Sequence, residues 1–190
     1  MALLSRREAH YVCAGLLIGL AVCPSILAQV SASESQVKAA FVENFARFVE
    51  WPQDSLPSPS SPLVIAVIGN DPIRGALDDI RGKLANGHPI EVRHLGWDAN
   101  LRGIHIVFIS ASEEQHLAAV LASCQKSSVL TVSDLDRFSL SGGIIEFRMV
   151  GNRVRFDINR SVASAAHLNI SSKLLNVARA VHAERIGDTQ

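Results

Sequence analysis

The chain has 190 residues, with 18 basic and 18 acidic side chains and a formal net charge of zero. That length suits one domain with a short appendage. A near-neutral balance excludes a nucleic-acid binder of the usual kind, which needs a concentrated positive field.

Residues 1–32 differ from the rest. Arg6 and Arg7 open the chain, Tyr11 to Val22 is almost wholly apolar, and small residues follow, the three-part layout of an export signal. The apolar run is shorter than the roughly 20 residues a membrane-spanning helix needs. Val30-Ser31-Ala32 places suitable residues for cleavage after Ala32, with Ala28 as the second choice; Val22 is too bulky for Cys23 to serve as a lipid-attachment site. The expected mature protein, residues 33–190, is a single domain that keeps 16 basic and 17 acidic side chains, because the leader removes Arg6, Arg7 and Glu8. Of Cys13, Cys23 and Cys124 only the last is retained, so no internal disulfide can form and a buried, inert thiol is expected.

From Ser33 to Trp51, Val37, Phe41, Phe45 and Phe48 recur at helical spacing, and Pro52 ends the pattern. A turn-rich connection, Leu56 to Pro62, leads into Leu63–Gly69, a β-branched run typical of a strand covered on both faces. Asp71-Pro72 reads as the start of a helix running to about Leu84, Asn86-Gly87 as a turn, and the stretch after Pro89 as a short strand. Ile104–Ser110 predicts another buried strand. Ser110 to Glu113 gives a capping-box pattern for a helix through Cys124, and Val129–Val132 a further strand.

Gly143–Val150 and Arg153–Ile158 flank Gly151-Asn152, the composition of a two-residue hairpin turn. Such a turn sets Arg148 opposite Arg155 and Glu146 opposite Asp157 on the wetter face, with the diagonals Glu146–Arg155 and Arg148–Asp157 available to compensate. Asn159 can cap a helix through His167. Asn169 or Ser171 can cap a last helix carrying the stripe Leu174, Leu175, Ala178 and Val181. The expected fold is α/β: a mainly parallel sheet covered by helices on both faces, completed by a C-terminal antiparallel hairpin.

Chemical signatures are sparse. Gly69 to Gly75 lacks the Lys and Ser or Thr of a phosphate loop, and no Gly-x-Ser-x-Gly elbow occurs. The six mature histidines are scattered, with no metal-binding spacing. The expectation is therefore no catalysis, no cofactor and no metal. Two kinds of binding site remain. Phe48 and Trp51, with Glu146, Arg148 and Arg155 on the hairpin, are candidates for a partner interface. Asn70, Asp71, Ser110 and Ser133 follow strands and could line the ligand edge of an open sheet, although helix and turn capping accounts for each locally.

Several segments in order carry a family resemblance: Lys38-Ala39-Ala40-Phe41 through Trp51-Pro52, Val67 to Pro72, Val129 to Asp134, Gly142 to Ile145, Arg155 to Asn159, and Ser171 to Leu175. Together they resemble the YfiR-like family across essentially the whole mature chain. The resemblance implies a periplasmic regulator that restrains an inner-membrane diguanylate cyclase and so lowers cyclic di-GMP signalling. It implies a homodimer, with an outer-membrane lipoprotein as a further candidate partner. Family members often carry cysteines able to form disulfides, one of them near the position held here by Ile104-His105; their absence argues against redox control through an internal disulfide. The alternative from another class is a periplasmic small-ligand sensor or carrier.

Overall fold

The structure is a computed structural model that describes residues 32–125 and 127–183. The expected leader, apart from Ala32, lies outside the described residues. In chain order the elements are α1 (Glu34–Phe48), β1 (Val49–Glu50), β2 (Leu63–Ile68), α2 (Ile73–Asp78), β3 (Leu84–Ala85), β4 (His88–Leu95), β5 (Ile106–Ile109), α3 (Leu117–Cys124), β6 (Leu130–Ser133), β7 (Ile145–Val150), β8 (Arg153–Asn159), α4 (Arg160–Ala165), β9 (Asn169–Ile170), α5 (Ser172–Val177) and β10 (Ala180–His182).

Helix α1 follows its sequence pattern closely. The Ser33 side chain accepts from the Gln36 N–H and the Gln36 side chain accepts from the Ser33 N–H, which satisfies two donors left open by the first turn. Phe45 is fully buried, while Val37, Phe41 and Phe48 pack half-buried against the same core. The rings of Phe41 and Phe45 meet Phe156 edge-on, with centroids 5.2 and 5.1 Å away, a favourable aromatic geometry.

The main sheet has eight strands in the order β10-β8-β7-β6-β5-β2-β4-β3, and β1 and β9 form a separate two-stranded ribbon. The expectation of a mainly parallel sheet is corrected to a mixed one. Strands β2, β4, β5 and β6 pair in parallel, but β3–β4 and β7–β8 are antiparallel hairpins. Two short turns cause this. Asn86 and Gly87 both take positive φ (51° and 92°), as a tight hairpin requires, and Gly151-Asn152 closes the second one.

The hairpin does not complete the sheet either. The expected last helix stops at Val177, Ala178 is extended, and β10 pairs in parallel with β8 to form the true edge. The helix expected to reach Leu84 ends at Asp78, before Gly82 at φ +81°. The helix after Ser110 starts as a 3-10 segment, Ala111–His116. Its expected capping box does not form: Ser110 Oγ accepts from the Ser112 N–H, and the Glu113 carboxylate turns to His116.

Helices cover both faces unequally. Helices α1, α2, α4 and α5 bury one face, around Ile65, Phe108, Val132 and Ile158. Helix α3 covers Ala66, Ile68 and Val107 on the other, assisted by Leu101, Leu135 and Phe138. All six β2 residues are buried. At about 1.5–3 kcal/mol for each large aliphatic side chain taken from water, this strand is a main source of stability. The outer face of β7, β8 and β10 lies beyond α3, and there the sheet carries polar side chains.

Candidate interaction surface

Strands β2 and β5 are neighbours, and the helices that follow them, α2 and α3, lie on opposite faces. Open α/β sheets usually hold ligands at such a switch point. Here Asn70 and Ser110 are brought together and tied: Ser110 Oγ donates to the Asn70 carbonyl (2.9 Å), and the Asn70 N–H donates to Ser112 Oγ (3.0 Å). Gly69 permits the closure. Its φ is +89°, and a Cβ there would stand 2.5 Å from Ser112 Oγ. Asp71 accepts from the Ile73 N–H (2.8 Å) at the start of α2. Ser133, one strand further along, donates to the Ile109 carbonyl (2.7 Å) and accepts from the Leu135 N–H (3.1 Å). Ser110 and Ser133 are buried.

At the opposite end of the strands, Phe48 closes α1 against the core and Trp51 Nε1 donates to the His105 carbonyl (3.2 Å). The Trp51 ring meets the His105 imidazole edge-on at 6.1 Å. The structure therefore separates these two aromatics from Glu146, Arg148 and Arg155, which gather near the carboxyl end of β6.

The hairpin has the register its turn dictates: Arg148 faces Arg155 and Glu146 faces Asp157. The compensation is not diagonal. Glu146, only 2% exposed, accepts from the backbone N–H groups of Arg137 (3.1 Å) and Ser139 (2.9 Å), from Ser139 Oγ (2.7 Å) and from Arg148 Nη1 (2.7 Å). Asp157, 3% exposed, takes a two-pronged bond from Arg179 at the entry to β10. Arg148 also reaches Asp136, and these two carboxylates hold its guanidinium above the ordinary pKa. Glu146 and Asp157 thus both have their partners, which is the condition for burying a charge at all.

Strand β6 pairs with β7 only at Ile145 and Glu146, and β10 starts opposite Asp157. Beyond those points the hairpin runs on as a two-stranded ribbon. Arg153 and Arg155 are exposed on it, and among the described residues neither has a carboxylate within salt-bridge distance. Met149 and Val150 at its tip are also exposed. A small cavity of about 140 Å³ opens beside it, among Arg137, Leu140, Arg148, Arg179 and His182.

Sequence patterning identifies Glu146 and Asp157 as cross-strand neighbours but not Ser139 or Arg179, which arrive from a loop and from a strand that reads as helix. It also misses Lys38, whose ammonium joins Asp134 and Glu34, each at 2.6 Å. Burial opposes the Lys38 charge, yet the hydrogen bonds to Asp134 and Glu34 carry its pKa above the ordinary value. Cys124 is buried, and burial pushes its thiol up to about 11. Among the described residues, no three His, Cys, Asp or Glu side chains are grouped to hold a metal ion, and no helix is long and apolar enough to cross a membrane.

No curated protein matches the sequence. A crystal structure of a conserved domain protein from Vibrio cholerae O1 biovar eltor is similar at a TM-score of 0.53 and 10% identity, covering 80% of this chain and 61% of that one. This chain thus matches about three-fifths of that protein's length, and the likeness is one of fold. The family model described as YfiR/HmsC-like matches residues 35–179, from the first turn of α1 to the arginine that binds Asp157. The chain belongs to the YfiR/HmsC-like family, whose members in general are periplasmic regulators in cyclic di-GMP signalling.

Proposed function

We propose that the mature chain is a periplasmic regulator that binds the external portion of an inner-membrane signalling protein, a diguanylate cyclase, and restrains it by contact. The observation that carries this reading is the ribbon β7–β8, where Arg153 and Arg155 stand exposed and unpaired among the described residues, beside Arg148. Below them the buried Glu146 and Asp157 are fully bonded and fix the strand geometry. Exposed arginines beside exposed apolar residues such as Met149 and Val150 are what an interface with an acidic partner surface uses. Phe48 and Trp51, at the other end of the sheet, form a second contact region in this reading. Export through cleavage after Ala32, homodimerisation, an outer-membrane lipoprotein that relieves the restraint, and a non-catalytic mode of action belong to the same proposal.

The test is co-purification from detergent-solubilised membranes of a strain expressing tagged protein. The wild type should retain a diguanylate cyclase, and R153E/R155E should lose it while keeping the same melting temperature. Retention of no cyclase by the wild type counts against the reading.

A further inference from the structure

Between β1 and β2 the chain crosses the amino ends of β2 and β5 as a strap, residues 52–62, containing Pro52, Pro57, Pro59 and Pro62. Proline removes backbone donors, and the strap's own backbone bonds are local, Ser55 N–H to the Pro52 carbonyl and Ser61 N–H to the Ser58 carbonyl. Two histidines hold it to the body. His88 Nδ1 lies 2.9 Å from the Ser61 carbonyl, and His105 Nε2 lies 3.1 Å from the Ser55 carbonyl.

His105 differs from His88 in having both ring nitrogens committed. Its Nδ1 lies 3.0 Å from the Val64 N–H, and a nitrogen facing an N–H must accept. The ring is therefore neutral, with its proton on Nε2, where it donates to Ser55. His105 is 5% exposed. A second proton would set a new N–H against that of Val64. Burial opposes the charge, and although the Nε2–H bond to Ser55 favours the charged ring, the ring can escape the clash and reach water only if the strap that covers it moves aside. The charges around it offer little relief. His88 and Arg93 on β4 oppose a further positive charge, while Asp54 on the strap and Arg102 before β5, one of each sign, line the adjoining cavity. Cavities flank the strap on both sides, one reaching Trp51, Leu56 and His88 and the other Ser55, Arg102 and His105, so the strap has room to move.

We infer that His105 is an acid-sensitive clasp: when it takes up a proton, residues 52–62 lift from the sheet and Trp51 leaves its seat on His105. The clasp stands on this geometry alone. Its consequence, exposure of the Phe48–Trp51 region to a partner, rests on the function proposed above.

Hydrogen exchange of the full mature chain, corrected for intrinsic rates, tests it between about pH 7.5 and pH 5. The Val64 amide, whose bond to His105 Nδ1 the second proton breaks, should lose protection about tenfold on acidification, while the amides of residues 65–68 and of β5 stay protected, as expected for a local opening. In a W97F background, which leaves Trp51 as the one tryptophan of the mature chain, its emission should shift red with the same midpoint. His105→Asn keeps an acceptor for Val64 but cannot reach Ser55, so its strap should be open at both pH values. Should that variant not fold, NMR titration of the wild-type His105 ring must give the same midpoint as the strap opening. A Val64 amide and a Trp51 emission that stay unchanged until the whole chain unfolds, a midpoint unrelated to His105, or unchanged pH dependence in His105→Asn would overturn the clasp. None of these readouts involves a partner, so they fail or succeed independently of the proposed function.

Discussion

Arg179 grips Asp157 with both prongs of its guanidinium, Nε and Nη2 each donating to a different carboxylate oxygen, while the Arg179 N–H donates to the Phe156 carbonyl (2.8 Å). One residue thus neutralises a buried charge and starts the pairing of β10 with β8.

Arg179→Ala should accordingly destabilise the fold by about 1–3 kcal/mol, since it strands an acceptor pair that water reaches poorly. Arg179→Lys should fall between, because an ammonium cannot reproduce the planar fork. Urea unfolding monitored by circular dichroism gives the comparison. An unchanged midpoint for the alanine variant would show that Asp157 does not depend on this partner.

Gly143 lies against the Phe138 ring, so close that a Cβ would stand 2.1 Å from Phe138 Cε1. Gly143→Ala should cost about 1–3 kcal/mol through overpacking, and the penalty should shrink when combined with Phe138→Leu. A double-mutant cycle in denaturant measures the coupling. Strict additivity would mean that the ring moves aside freely.

Much of the fold is legible in the sequence where local pattern and tertiary contact agree. The Phe stripe of α1 and the Gly151-Asn152 turn are both of this kind, and the turn fixes which residues face one another across β7 and β8. The end of the chain is not legible. Leu174, Leu175, Ala178 and Val181 have helical spacing, but the open edge of β8 offers the Phe156 carbonyl and the Asp157 carboxylate, and both are answered by Arg179 from an extended chain. The same long-range contact explains why the hairpin's outer face, which reads as wet, is partly enclosed. Glu146 and Asp157 alternate with arginines as surface residues do, yet the 137–139 backbone and Arg179 enclose them. Only the residues beyond this enclosure, Arg153 and Arg155, keep the exposure that alternation suggests.

The Cys124 thiol, buried and raised to about 11, should resist thiol reagents at neutral pH. Ellman's reagent should react with it only after unfolding, and non-reducing gels should show no disulfide-linked dimer. Prompt reaction of the native protein would place the thiol at an accessible surface instead.

Burial is the main cause that lowers the His105 pKa below its ordinary 6.5. The unfolded chain therefore binds the proton more readily, so stability contributed by the neutral ring is present above about pH 6.5 and is lost as pH falls through the folded pKa. Thermal unfolding should show a melting temperature that declines on acidification through that range in the wild type, and a weaker decline in His105→Asn. Equal slopes would assign the decline to other groups.

We propose that the arginine ribbon acts on cyclic di-GMP signalling by contact. The most direct test is the intracellular cyclic di-GMP concentration in a deletion strain carrying the wild-type chain, R153E/R155E, or neither. Deletion should raise the level, the wild type should return it to the original value, and the charge-reversed chain, exported to the same amount, should not. An unchanged level on deletion, or full restoration by R153E/R155E, would contradict the proposal.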